Sequence, residues 1–541
     1  MTVPQPVVSE LIDTRHLTSD VRRFRSILFP NGQVLPEIDS RSQPECFADL
    51  KLDQIVTAVT AGCDDYDLKP FFYLPSRVVT EISYRHDVFR DIEYSATADC
   101  LRTFATEMRK MRDEISQAQK LYYELQRQRC LLDSVDGYCR ALRRLVSGLR
   151  NANVRSDGLR AFRQHVEEFL SSTRFRKMEA DAQRIASQIA EIRYALLIEG
   201  KRITVQRYEP EQDYGADVLE TFERFRQGGT KERPFNFRFA LEMNHVEAAI
   251  LDRVARLYPE VFAALADFCS AHAHFQNPVI AQFDREVQFY LAWTEHMDRF
   301  RGEGLSFCYP EVSEQSKAES AEEAFDLALA DKLRADKGGR RVVTNDFSLA
   351  GEERILVVTG PNQGGKTTFA RMIGQLHYLA GLGCPVPAKE ARLFLADQVF
   401  THFEKEEDIG NLTGKLEDEL LRIRHNLELA TPESVLIMNE SFLSTTVKDA
   451  LFLSREIMMR IVRLDMICVS VTFLDELVSM SASTVSMVGE VGQEDPSRRT
   501  FRILRRPADG LAYAMAIADK YRLTENAVKK RIVENTAGQP S

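Results

Sequence analysis

Arg354-Ile-Leu-Val-Val-Thr-Gly-Pro-Asn-Gln-Gly-Gly-Lys-Thr-Thr-Phe-Ala370 is the stretch on which the reading of the whole chain turns. Ile355 to Val358 form a short apolar run of the kind buried in a parallel sheet. Gly360, followed after four residues by Gly365-Lys366-Thr367, makes the phosphate-binding loop pattern, and a helical sequence begins at Thr368. The glycines let the backbone turn tightly, so that successive N–H groups point inward at phosphate oxygens. Lys366 puts a point charge on the β- and γ-phosphates, while the Thr367 hydroxyl can ligate Mg²⁺. The positive N-terminal end of the following helix completes the cradle. Gly360, Pro361, Asn362, Gln363, Gly364, Gly365, Lys366, Thr367 and Thr368 are thus the candidate contacts of a nucleoside triphosphate.

Around this stretch the chain has an ordinary soluble composition, 28% charged and 44% hydrophobic over 541 residues, enough for more than one domain. The formal net charge of −10 argues against blanket coating of nucleic acid but leaves room for a local basic face. Nine cysteines without a C-x-x-C spacing predict reduced, mostly buried thiols in a cytoplasmic protein. Met1-Thr-Val-Pro-Gln-Pro has no basic region followed by an apolar core, and no run of 18 apolar residues occurs, so neither a signal peptide nor a membrane span is expected.

Upstream, residues 1–100 read as compact, loop-rich structure, with 1–45 an N-terminal extension. From Leu101 to Leu125 apolar residues recur in steps of three and four, and Met178, Ala182, Ile185, Ile189, Ile192 and Leu196 answer with the same 3.5-residue period. The pattern predicts an antiparallel pair of long helices over 101–205, a lever with a short tip; the alternative is two ordinary amphipathic helices in a bundle. Between them, Arg127–Lys177 holds twelve Lys/Arg and five Asp/Glu, a local charge of +7. Such a run is either a solvated face or a patch for the phosphate backbone of DNA, with Arg143, Arg144, Arg150 and Arg155 as candidate contacts. Ile198–Val205 reads as a short hairpin, Phe239–Ala271 and Pro278–Phe300 as helices, and Ser313–Glu323 as a polar loop. Residues 46–100 and 206–302 form a helical core in this reading, and a nucleotide-binding domain covers 303–541, ending in a helical tail.

Ser434-Val-Leu-Ile-Met-Asn-Glu440 is an apolar strand ending in an acid, the second pillar of a phosphate-loop ATPase, where a carboxylate handles Mg²⁺ and the attacking water. A helix over about Val447–Arg463 and a strand over Met466–Thr472 follow, an alternation that means an α/β domain with a parallel sheet.

These residues resemble the MutS-type ATPases, within the ABC-like branch of phosphate-loop proteins. The resemblance rests on Thr359-Gly-Pro-Asn-Gln-Gly-Gly-Lys-Thr-Thr368, Val342-Val-Thr-Asn-Asp-Phe-Ser-Leu349, Val386-Pro-Ala388, Asp397-Gln-Val-Phe-Thr401, Ala430-Thr-Pro-Glu-Ser434, Asn439-Glu440, Thr472-Phe-Leu-Asp-Glu-Leu477 and Pro507 to Asp519. It is dense over about 340–535 and architectural over 46–300. It implies an ABC-like α/β ATPase domain at the C-terminus, preceded by a mostly α-helical core with a long lever, and a homodimer whose ATPase domains face each other. ATP and Mg²⁺ are the implied ligands and DNA the implied partner. Glu440 is the implied general base, and Asn345 is retained beside Val342, which stands where an aromatic residue commonly stacks on adenine. Only about 45–100 residues precede the helical core, and they hold no Phe-x-Glu wedge, so recognition of mismatches is not implied. Asn439 stands at the Mg²⁺-associated Asp and lacks its charge. Phe473 replaces a His, and Gly414, in Asn411 to Glu419, aligns with the Ser that reaches the partner's γ-phosphate. Gly414 and Glu419 remain candidate nucleotide contacts. A slowly hydrolysing ATPase acting on DNA structure leads; the rivals are a nucleotide-bound interaction protein without hydrolysis, and an ATPase whose arm binds protein.

Overall fold

The computed structural model describes residues 24–31, 35–209, 243–336, 339, 341–404, 414–442, 444–491 and 499–508. Along the chain come helices α1 (Leu35–Asp39), α2 (Cys46–Leu50), α3 (Leu52–Val59), α4 (Val79–Ile92), α5 (Ser95–Lys120), α6 (Glu124–Asn151), α7 (Asp157–Ser171) and α8 (Thr173–Ala190). The hairpin β1 (Tyr194–Glu199) and β2 (Arg202–Arg207) precedes α9 (His245–Leu257), α10 (Pro259–Ala271) and α11 (Pro278–Arg301). Then follow β3 (Glu311–Ser313), β4 (Glu319–Ala324), α12 (Leu327–Ala335), β5 (Asn345–Leu349), β6 (Ile355–Thr359), α13 (Lys366–Gly381), β7 (Glu390–Phe394) and β8 (Val399–Phe403). The remainder is α14 (Lys415–Leu429), β9 (Val435–Asn439), α15 (Val447–Leu464), β10 (Ile467–Val471), β11 (Thr484–Val491) and β12 (Arg499–Arg505). The protein is mixed α/β, and its residues divide into two compact units, one of 1–24, 96–154 and 160–284, the other of 25–95, 155–159 and 285–541.

In the helical unit, the heptad positions become buried stripes: Leu101, Phe104, Met108 and Met111 on α5, and Phe175, Met178, Ala182 and Ile185 on α8. Residues 127–177, expected as a short tip, are largely regular helix instead. α6 alone runs 28 residues and buries Leu132, Val135, Leu142, Leu145 and Leu149, an apolar face that the arginines around it mask in the sequence. α6 packs on α8. The helix expected over Phe239–Ala271 is broken at Tyr258-Pro259, because Pro259 has no N–H to continue α9 and instead opens α10. Residues 239–242 of that expectation lie outside the described residues.

In the second unit a six-stranded sheet has the order β12-β11-β6-β10-β9-β8. Its pairings are parallel except for β11 with β12, and Val358, Val471 and Asn439 lie level across β6, β10 and β9. The ends of these three strands therefore open onto one edge. A four-stranded sheet, β3-β7-β4-β5, lies in the same unit. It takes up both ends of the segment expected as a loop over Ser313–Glu323: Ala321 and Ala324 are small enough to bury, and buried Glu319 faces His377 at 3.4 Å. Residues 46–95, assigned by sequence to the helical core, pack in this unit too. Gln375 of α13 donates to the Leu50 carbonyl (2.9 Å), Tyr378 to that of Phe72 (2.9 Å), and Arg85 to that of Leu382 (2.8 Å). All nine cysteines are free. No helix among the described residues is long and apolar enough to cross a membrane.

Candidate nucleotide-binding site

Backbone geometry explains the glycines of the loop between β6 and α13. Gly360 has φ +120°, and a Cβ there would meet the Gly489 nitrogen at 2.9 Å, so β11 passes too close for any side chain. A Cβ on Gly364 would come 2.8 Å from the Pro361 oxygen, and Gly365, at φ +92°, caps α13 in a conformation that L residues rarely adopt. Gln363 takes the left-handed region without being glycine. Gly489, missed in the sequence because it sits inside an ordinary apolar strand, is a partner in this close approach.

Lys366 is 3% exposed and donates to the carbonyls of Gly360 (3.0 Å) and Pro361 (3.2 Å). Burial lowers its pKa, the charge of Glu440 pulls it up, and Arg499 pushes it down. Its ammonium also lies 4.3 Å from the centre of the Phe473 ring. Glu440 follows β9 directly; its φ is +54° and its N–H donates to the Val471 carbonyl at 3.0 Å. Asn439 is buried, and its Oδ1 has no hydrogen-bond partner among the described residues. An orphaned amide oxygen at this strand end fits a weakly held Mg²⁺: with the Thr367 hydroxyl it offers neutral oxygens only, leaving phosphate and water to complete the shell.

A cavity of about 400 Å³ opens beside the loop. Gln363 to Thr368 and Glu440 line one part of it, while Leu329 and Leu333 of α12, Val342, Val343 and Phe501 make an apolar part, with Arg341 and Asn345 also on its wall. The wall from α12 is fixed to the loop's own helix: Asp326 caps α12 and accepts from Arg371 and Gln375, both on α13. Gly360, Pro361 and Asn362 shape the loop rather than line the cavity. Asn345 anchors β12, donating to the Phe501 carbonyl (3.2 Å) and accepting from the Ile503 N–H (2.7 Å). Glu419, expected among the nucleotide contacts, is 1% exposed and faces the turn after β9, where it accepts from the Phe442 N–H at 3.0 Å. Gly414 begins α14 with open space around it; Asn411 to Thr413, and all of Pro507 to Asp519 beyond Ala508, lie outside the described residues.

Residues 356–531 match the family description "MutS domain V". Over 118 residues the chain is 34% identical to the DNA mismatch repair protein MutS of Brevibacillus brevis, covering 22% of this chain and 14% of that protein. It is 33% identical over 138 residues to the MutS of Halalkalibacterium halodurans (24% and 16%), and 35% over 115 residues to the DNA mismatch repair protein MutS 2 of Halobacterium salinarum (21% and 13%). The C-terminal third of the chain is similar to MutS domain V. The matched stretches span only about 13–16% of the length of these MutS relatives. The domain V match holds all but the first residue of β6, the Lys366 loop, α13, Asn439 and Glu440 together in one segment.

The arginines proposed to touch DNA lie outside the MutS domain V match, and acids already engage three of them. Arg143 grips Glu179 through two hydrogen bonds (2.6 and 2.5 Å), Arg144 pairs with Glu107, and Arg150 bonds Glu167 at 2.8 Å. Arg143 and Arg150 share a groove with Arg176, while Arg144 lines a different one. Arg155 belongs to the other compact unit, where its backbone N–H donates to Asp91. Two of the four candidates, Arg143 and Arg150, thus line one groove.

Proposed function

We propose that this chain is a MutS-family protein that binds ATP with Mg²⁺ at the Lys366 loop, hydrolyses it slowly, and works as a homodimer on DNA structures such as branched intermediates rather than on mismatches. The observation that carries this reading is the strand-edge arrangement: the loop leaves β6, Glu440 leaves β9 and Thr472 leaves β10 at one edge of a parallel sheet. In the ABC-like phosphate-loop domain this implies, Lys366 and the N-terminus of α13 hold the triphosphate, and Glu440 takes a proton from the attacking water. Thr367, with Asn439 through water, would hold Mg²⁺, which when bound neutralises phosphate charge. The helical unit with its α5, α6 and α8 serves as the lever whose position responds to ATP, and its arginines meet the phosphate backbone of DNA.

Slowness follows from Asn439 and Phe473, since loss of one charge-stabilising contact often costs about 10²–10³ in rate. The contact between Lys366 and Phe473 also favours a second reading, a nucleotide-bound interaction protein without hydrolysis. Steady-state ATP turnover of the wild type and Glu440→Gln separates the two. A rate that falls at least about tenfold in the variant supports an enzyme, whereas equal background rates leave only the second reading.

A further inference from the structure

The cavity beside the Lys366 loop has an apolar part that phosphate groups do not need. Leu329, Leu333, Val342 and Val343 give it aliphatic walls, and Phe501 gives it the aromatic ring. Phe501 is held there against its own preferences. Its φ is +61°, a left-handed backbone state that a bulky residue rarely adopts. The residue is 48% exposed although an aromatic side chain gains most from burial. Both side-chain functions of Asn345 fix this placement, one bonding the Phe501 carbonyl and the other the N–H of Ile503. The strand also crosses the phosphate loop itself, since a Cβ on Gly365 would meet the Phe501 Cα at 3.6 Å. A half-exposed aromatic residue with a left-handed backbone, tied down by the Asn345 amide at the start of β5 and placed one residue's width from the N-terminus of α13, has the properties of a stacking surface for a flat heterocycle whose phosphates lie on that helix end.

We propose that Phe501 is the platform on which the base of the nucleoside triphosphate stacks, with Asn345 as the residue that positions it. This deepens the triphosphate reading and rests on it. Because stacking needs only a π-face, the platform contributes to affinity for the base and nothing to affinity for bare phosphates.

Isothermal titration of the full chain with Mg²⁺-ATP and, separately, with Mg²⁺-tripolyphosphate tests it, using wild type, Phe501→Ala and Phe501→Trp. Wild type is expected to bind both ligands. Phe501→Ala should lose roughly ten- to hundredfold in ATP affinity with tripolyphosphate affinity unchanged, and Phe501→Trp should keep ATP. If Phe501→Ala binds ATP like wild type, the platform is overturned and the triphosphate site stands. If Phe501→Ala loses both ligands equally, the ring supports the loop and not the base, which also overturns the platform. Wild type binding neither ligand would overturn the triphosphate reading itself.

Discussion

The ammonium of Lys366 lies 4.3 Å from the centre of the Phe473 ring while donating to the carbonyls of Gly360 and Pro361. An aromatic face attracts a partly desolvated cation by about 0.5–2 kcal/mol. The ring therefore competes with phosphate for the charge that the loop would use. Phe473→His removes this hold and restores a polar group beside the loop. Its ATP turnover is expected to rise at least about tenfold. An unchanged or lower kcat would mean that Phe473 is not what restrains Lys366.

Gly360→Ala brings a Cβ to 2.9 Å from the Gly489 nitrogen at a φ of +120°, and backbone cannot give way cheaply. The variant should lose about 1–3 kcal/mol of stability and most of its ATP affinity. Gly489→Ala meets nothing nearer than the Pro361 Cδ at 3.4 Å and should be much milder. Thermal melts and ATP titration on both variants check the order.

Burial raises the pKa of Glu419, with the Phe442 N–H, Lys415 and Arg422 pulling the other way. A carboxyl with a raised folded pKa binds its proton more tightly in the fold than in the unfolded chain, so stability falls as pH climbs above the unfolded value. Glu419→Gln keeps an acceptor for Phe442 and removes that ionisation. Its Tm should exceed wild type by about 2 °C at pH 8, the gap closing toward pH 4. A gap independent of pH would show that Glu419 is not titrating against the fold.

Arg143, Arg144 and Arg150 are each held by an acid. If they serve DNA, releasing them should strengthen binding: the triple variant Glu107→Gln, Glu167→Gln, Glu179→Gln is expected to bind duplex DNA several-fold tighter at low salt, with a steeper fall as salt rises. Affinity insensitive to both salt and these changes would favour a protein partner for the helical unit.

Elements whose signal is local were legible in the sequence. Ile355–Val358, Val435–Met438 and Ile467–Val471 are runs with no polar alternative but a buried strand, and the loop glycines announce their own backbone. What depends on distant partners was not. β12 reads Arg-Thr-Phe-Arg-Ile-Leu-Arg, a charged surface strand, and nothing local tells that Asn345, more than 150 residues away, draws Phe501 onto the cavity. Glu419 is one acid among several on α14, and only the fold turns it toward the Phe442 N–H. The arginines of α6 were visible as charge but not their acids, because Glu107 and Glu179 lie on other helices.

Titration of Mg²⁺-ATP into the full chain and into Lys366→Ala is the most direct measurement of whether the loop grips a triphosphate. Saturable one-site binding by wild type, weakened at least about hundredfold in Lys366→Ala, is the expected result. Equal affinity in the two proteins, or no binding by either, would contradict it.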